Sequence, residues 1–136
     1  MRIPLAVLAD YANLSADGKL NIMGIFDIIF ASRVPALHPQ MQLVLKLQSE
    51  PAERGTEKKL DVRLIDEDGK KLVGLESSFR VPDDFPLTGE IPQIISLGGL
   101  RFERFGEYAF HVLVNGDTKA HVPFCVKQFP SQPRSA

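Results

Sequence analysis

The sequence predicts an all-β fold, an antiparallel β-sandwich of about eight strands. Three observations carry this. Apolar and polar residues alternate at period two through most of the chain, no segment sustains a helical period, and ten prolines and ten glycines are spread between the apolar runs.

The first element is "IPLAVLA", where Ile3, Leu5, Val7 and Ala9 fall on one face of a strand. Asn13, Ser15, Asp17 and Gly18 are turn formers that separate it from "GKLNIMGIFDIIFA", a nearly apolar stretch with one carboxylate, Asp27. As a strand, Leu20, Ile22, Gly24, Phe26, Ile28 and Phe30 make an unbroken apolar face, and Asp27 joins Lys19 and Asn21 on the other. As a helix, the stretch would surround Asp27 with Met23, Gly24, Phe30 and Ala31, which buries a charge at substantial cost. The strand is therefore expected. Met23, Ile25 and Ile29 leave its second face only partly polar, so a loop, a neighbouring edge or another chain is expected to cover it.

"MQLVLKLQS" is the cleanest strand, with Met41, Leu43, Leu45 and Leu47 opposed to Gln42, Lys46 and Gln48 on a wet side. "EKKLDVRLID" sets Leu60, Val62 and Leu64 inward, turns at "DEDGKK" and returns through Val73, Leu75 and Phe79 as a hairpin. "QIISLGGLRF" is a poorer strand in which Gly98 and Gly99 predict a bulge or bend. In the last hairpin, Tyr108, Phe110, Val112 and Val114 alternate inward, as do Ala120, Val122, Phe124 and Val126. A bare two-residue loop at Asn115 and Gly116 would set Phe110 opposite His121 and mismatch the apolar faces. A shift of one residue, pairing Val114 with Thr118 through a three-residue loop or a bulge, sets Phe110 opposite Val122 and His111 opposite His121.

With 136 residues, 44% of them hydrophobic, the chain is long enough for one self-sufficient core, read as a single domain over residues 1–128 with a flexible tail over 129–136. The one cysteine, Cys125, permits no internal disulfide and reads as a packed thiol in a reducing compartment. Sixteen basic and seventeen acidic residues are interspersed, which gives no basic stripe for nucleic acid. The apolar run from Ile3 to Ala9 is too short for a membrane span and makes a poor signal peptide, so a cytoplasmic location is expected and no membrane partner.

Candidate chemistry is sparse. His111 and His121, with Cβ atoms roughly 5 Å apart, supply half of a metal site, but their outer-face neighbours Ala109, Leu113, Lys119 and Pro123 offer no third ligand. Asp66, Asp68 and Gly69 begin like a calcium loop, yet Lys70, Lys71 and Ser77 stand where ligands and glycine are required, so a turn is expected. No local motif for phosphate, dinucleotide or a nucleophilic serine occurs, and neither a cofactor nor a catalytic residue is assigned. Asp10, Asp27 and His38 converge only if the fold brings them together; that trio, or the His111 and His121 pair, is the basis of an alternative reading as a small hydrolase or metal-dependent binder.

"PLAVLADYANLSADGKLNIMGIFDIIFA", "PALHPQMQLVLKL" and "GLRFERFGEYAFHVLVNG" together resemble an uncharacterised bacterial family, domain of unknown function 6941. The features that carry the resemblance are Leu8-Ala9-Asp10 with Asn13, Gly18 to Ile22, Gly24 with Phe26-Asp27, and His38-Pro39. It implies a bacterial source and a compact domain and transfers no site. "FGEYAFHVLVNG" is similar to the penultimate strand of many immunoglobulin-like and C2-like sandwiches, which implies that general architecture. The leading functional expectation is a non-enzymatic interaction or accessory domain that binds another protein or itself, with Met23, Ile25 and Ile29 as its surface.

Overall fold

The computed structural model describes residues 1–86 and 89–130. Nine strands form two sheets: β1 (Arg2–Leu14), β2 (Leu20–Phe26), β3 (Ile28–Ala31), β4 (Ala36–Gln48), β5 (Glu57–Asp66), β6 (Lys71–Arg80), β7 (Glu90–Phe102), β8 (Gly106–Val114) and β9 (Asp117–Gln128). One sheet has the order β2-β1-β4-β7 and the other β3-β9-β8-β5-β6. All neighbours are antiparallel except β3 and β9. The expected sandwich is present. It has nine strands because the second expected strand is divided between the sheets.

The core between the sheets is built from the predicted inward sets. Met41, Leu43, Leu45 and Leu47 of β4 are fully buried, as are Leu60, Val62 and Leu64 of β5 and Phe110 and Val112 of β8. Four aromatic rings meet there. Phe124 stacks on Tyr108 and Phe110 with centroids at 5.7 and 5.4 Å, and meets Phe102 edge-on at 5.9 Å. The Tyr108 hydroxyl escapes burial without a partner by donating to the Arg104 carbonyl at 2.7 Å.

Simple alternation fails where two strand pairs turn their faces over together. Leu8 and Phe26 pack in the inter-sheet core, whereas Ala12, Ile22 and Leu20, of the same parity, pack with Val7, Ala9, Val44 and Ile94 on the opposite side of the sheet. Between them lies Gly24, at φ +71°, beside Asp10; a Cβ on Gly24 would stand 2.5 Å from Asp10 Oδ2. The hairpin tip thus folds over the outside of its own sheet, and the Ala12 N–H donates to the Gln42 side chain. The wet side expected of β4 is therefore half covered: Val44 and Gln42 are buried. A second turnover sits at Pro39 and Gly99 (φ +66°), after which Leu100 and Phe102 join the core. Gly98 and Gly99 give a bend rather than a bulge, since β4 and β7 keep one register from Ala36↔Phe102 to Gln48↔Glu90. In β1 the expected face is also split, because the register slips between Arg2 and Leu5. Pro4, which has no N–H to give the ladder, lies at that slip.

Asp27 is where the chain changes sheets. Its carbonyl accepts the Cys125 N–H at 3.0 Å, and β3 then runs parallel to β9, Ile28↔Cys125 through Ala31↔Gln128. Pairing stops at that point for a chemical reason. In an antiparallel pair a residue's N–H and C=O point to the same side, so Cys125, bonded to β3, has Pro123 and His121 facing the same free edge. Pro123 has no N–H to continue the ladder, and the preceding residues belong to the other sheet. The crossover shifts the parity: Ile29 is buried in the core and Phe30 is exposed, the reverse of a single continuous strand.

The last hairpin keeps the expected pairs Tyr108↔Phe124, Phe110↔Val122, His111↔His121 and Val112↔Ala120. Its tip differs. Val114 pairs with Asp117 rather than Thr118, Asn115 and Gly116 form a two-residue turn at φ 49° and 85°, and Lys119 is the extra residue that the register shift absorbs. Asn-Gly supplies the two positive φ values that the tight turn needs, so a bulge beyond it carries the correction. Cys125 is half-buried and its side chain lies on the face opposite the core-facing Phe124 and Val126, not in the core. Residues 131–136, most of the expected tail, lie outside the described residues; Phe129 still donates its N–H to the Ala31 carbonyl and stacks on Phe30. Among the described residues no helix is long and apolar enough to cross a membrane.

Candidate functional site: the β1–β2 hairpin and the histidine pair

The proposed surface residues divide. Met23 and Ile25 are 66% and 61% exposed, while Ile29 is a core residue on the far side of the crossover and drops out of any surface. In its place the same hairpin exposes Tyr11, the cross-strand partner of Met23, and Leu14, at 46% and 49%. Tyr11 has the parity of the expected inward set, and the turnover at Gly24 breaks the rule on which that parity depends. Ile25 also borders a cleft of about 420 Å³ that opens between the sheets, with Ala6 and Val7 on one wall and His121 and Pro123 on the other.

β2 is an edge strand, and its chemistry differs from that of the other edges. β6 carries Lys71, Glu76 and Arg80, β7 carries Pro92 and a glycine pair, and β3 is only four residues long. β2, "LNIMGIF", has no charge and no proline. Charges, prolines and short length are the usual means by which an edge avoids pairing with another chain, and β2 has only the Gly24 kink.

Asp10 and His38 come close enough to interact, near Phe26, whose ring centroid lies 6.1 Å from that of His38. Burial pushes the His38 imidazole below its usual range, the Asp10 carboxylate pulling the other way. His38 Nε2 is buried with no hydrogen-bond partner among the described residues. Asp27 does not complete a triad: it is exposed at the crossover, and no group of three His, Cys, Asp or Glu residues able to hold a metal ion occurs among the described residues.

His111 and His121 stand side by side as expected, ring centroids 4.9 Å apart and planes at 67°. Burial lowers the His111 pKa, with His121 and Arg63 acting in the same sense. Arg63 is opposite His111 on β5, and its guanidinium is held by Asp61 at 2.9 Å. The acidic turn after β5 is closed by its own groups: Asp66 accepts the Asp68 and Lys70 N–H groups, and Arg104 bridges Asp66 and Asp68 at 3.4 and 3.0 Å. Arg104 carried no sequence signal, since its partners are 36 and 38 residues away.

A family model matches residues 4–127, nearly the whole described domain. The chain belongs to the family of unknown function DUF6941. Among proteins of curated function, none matches the sequence. Two solved structures are similar to this DUF6941 chain. One is an immunoglobulin-like protein from Pseudomonas aeruginosa, 15% identical, with a TM-score of 0.43, covering 92% of this chain and 94% of that one. The other is the alkylpurine DNA glycosylase AlkC of Pseudomonas fluorescens bound to DNA containing an abasic site analogue, 11% identical, TM-score 0.42, over 90% of this chain. This chain spans 30% of the glycosylase chain. At these identities and TM-scores neither likeness transfers a substrate or a site.

Proposed function

We propose that this DUF6941 protein is a non-enzymatic protein-interaction domain whose contact surface is the β1–β2 hairpin. The supporting observation is the coincidence of an uncharged edge strand with four large exposed apolar side chains, Tyr11, Leu14, Met23 and Ile25, on one hairpin. A protein partner would pair with the β2 edge through main-chain hydrogen bonds and cover those side chains. The partner is another protein or a second copy of this chain.

Two measurements on wild type and Ile25→Lys test this. Solution molar mass across a concentration series reads self-association, and affinity capture against an untagged control from the native cytosol reads a different partner. A dimer or a reproducibly captured protein that is lost in a folded Ile25→Lys variant supports the reading. A protein that is monomeric and captures the same set with and without the substitution removes it.

A further inference from the structure

The antiparallel ladder between β8 and β9 alternates wide and narrow pairs, and the alternation fixes how His111 faces His121. Cys125 donates its N–H away from β8, to Asp27, so Glu107↔Cys125 is a non-hydrogen-bonded pair, and so, two and four residues on, are Ala109↔Pro123 and His111↔His121. In such pairs the Cα atoms approach to about 4.5 Å and the side chains stand closest. The two imidazoles project from one face with centroids 4.9 Å apart, and both border a cleft of about 350 Å³ that Glu67 and Glu107 also line. We propose that His111 and His121 form a two-imidazole site for a divalent transition-metal ion of the copper(II), nickel(II) or zinc(II) class, with water in the remaining positions.

The chemistry matches the geometry in three ways. Neutral imidazole is a ligand these ions favour over the oxygen-preferring calcium and magnesium. Each histidine sits at a cross-strand position that the ladder fixes, so the two rings are already neighbours before an ion arrives. Arg63, opposite His111 on β5, has its charge offset by Asp61, while Glu67 and Glu107 make the cleft negative. With two protein ligands rather than the three of a catalytic zinc site, the ion would be open to solvent and exchangeable.

The test uses the untagged full chain at pH 7.5. Calorimetric titration with zinc(II) and copper(II) chloride is expected to show one equivalent, tighter for copper as the Irving–Williams order requires. His111→Ala and His121→Ala should each weaken binding by about tenfold or more, while His38→Ala leaves it unchanged. In the wild type, zinc should shift the imidazole NMR signals of His111 and His121 together and spare His38, a readout that needs no variant. Absence of saturable binding, shifts confined to one of the two rings, or binding that survives both substitutions overturns the proposal.

Discussion

Cys125 donates its backbone N–H to the Asp27 carbonyl at 3.0 Å, at the residue where the chain passes from one sheet to the other. Pro123, two residues earlier on the same edge, has nothing to donate, so the bond to Asp27 begins the β3–β9 ladder. Cys125→Pro is therefore expected to lose β3 pairing and about 3 kcal/mol or more. Cys125→Ala, which keeps the N–H, should cost under about 1 kcal/mol. Urea denaturation of the two variants makes the comparison. Equal losses would place the contribution in the thiol rather than the backbone.

Gly24→Ala should destabilise by about 1–3 kcal/mol, because L-residues resist φ +71° and the new methyl would meet the Asp10 carboxylate. Asp10→Ala in the same chain should recover the steric part and leave the backbone part. A double-mutant cycle measures the division, and strict additivity would mean that the two residues do not touch.

Glu53 lies between β4 and β5, with Lys58 at 2.9 Å and the Met1 ammonium at 3.1 Å. Burial opposes its ionisation, but Lys58, the Glu50 N–H and the ammonium together lower its pKa from 4.5 to about 2. A carboxyl with a depressed folded pKa stabilises fully above its unfolded value and loses that contribution as pH falls. Glu53→Gln should thus cost about 3 kcal/mol near neutrality and progressively less from pH 4.5 towards 2. Thermal melts over that range read it, and a pH-independent deficit would contradict it.

His38 acts at higher pH. Burial lowers the pKa of its imidazole in the fold, so below 6.5 the unfolded chain takes up the proton first and stability falls as pH falls. His111, shifted the same way, adds to the slope. His38→Leu should flatten the stability profile below about pH 6.5 without removing it. An unchanged slope in that variant would assign the whole effect elsewhere.

How much of this was legible follows from where periodicity survives. Met41 to Leu47, Leu60 to Leu64 and the pairs Phe110↔Val122 and His111↔His121 could be placed from alternation alone, since a one-residue slip there would expose a whole apolar set. Ile29 and Phe30 depart from the expected faces because the sheet change at Asp27 reverses parity, and Tyr11, of the inward parity of β1, is exposed beyond the inversion at Gly24. Asp10, Asp27 and His38 are grouped by residue type alone; the Asp10 charge acts on His38, while Asp27 is exposed at the crossover.

The sequence by itself determined that the chain is all-β, which residues line most of the core, the register of the final strand pair from Tyr108↔Phe124 to Val112↔Ala120 and its membership of DUF6941, because each is written in local alternation or in extended motifs. Tertiary structure decided which sheet each strand joins, which apolar residues of the β1–β2 hairpin remain exposed and which carboxylates stand near which histidine. Those outcomes rest on positive-φ glycines, prolines that lack an N–H and contacts between residues far apart in the chain, and a two-residue period carries no information across them.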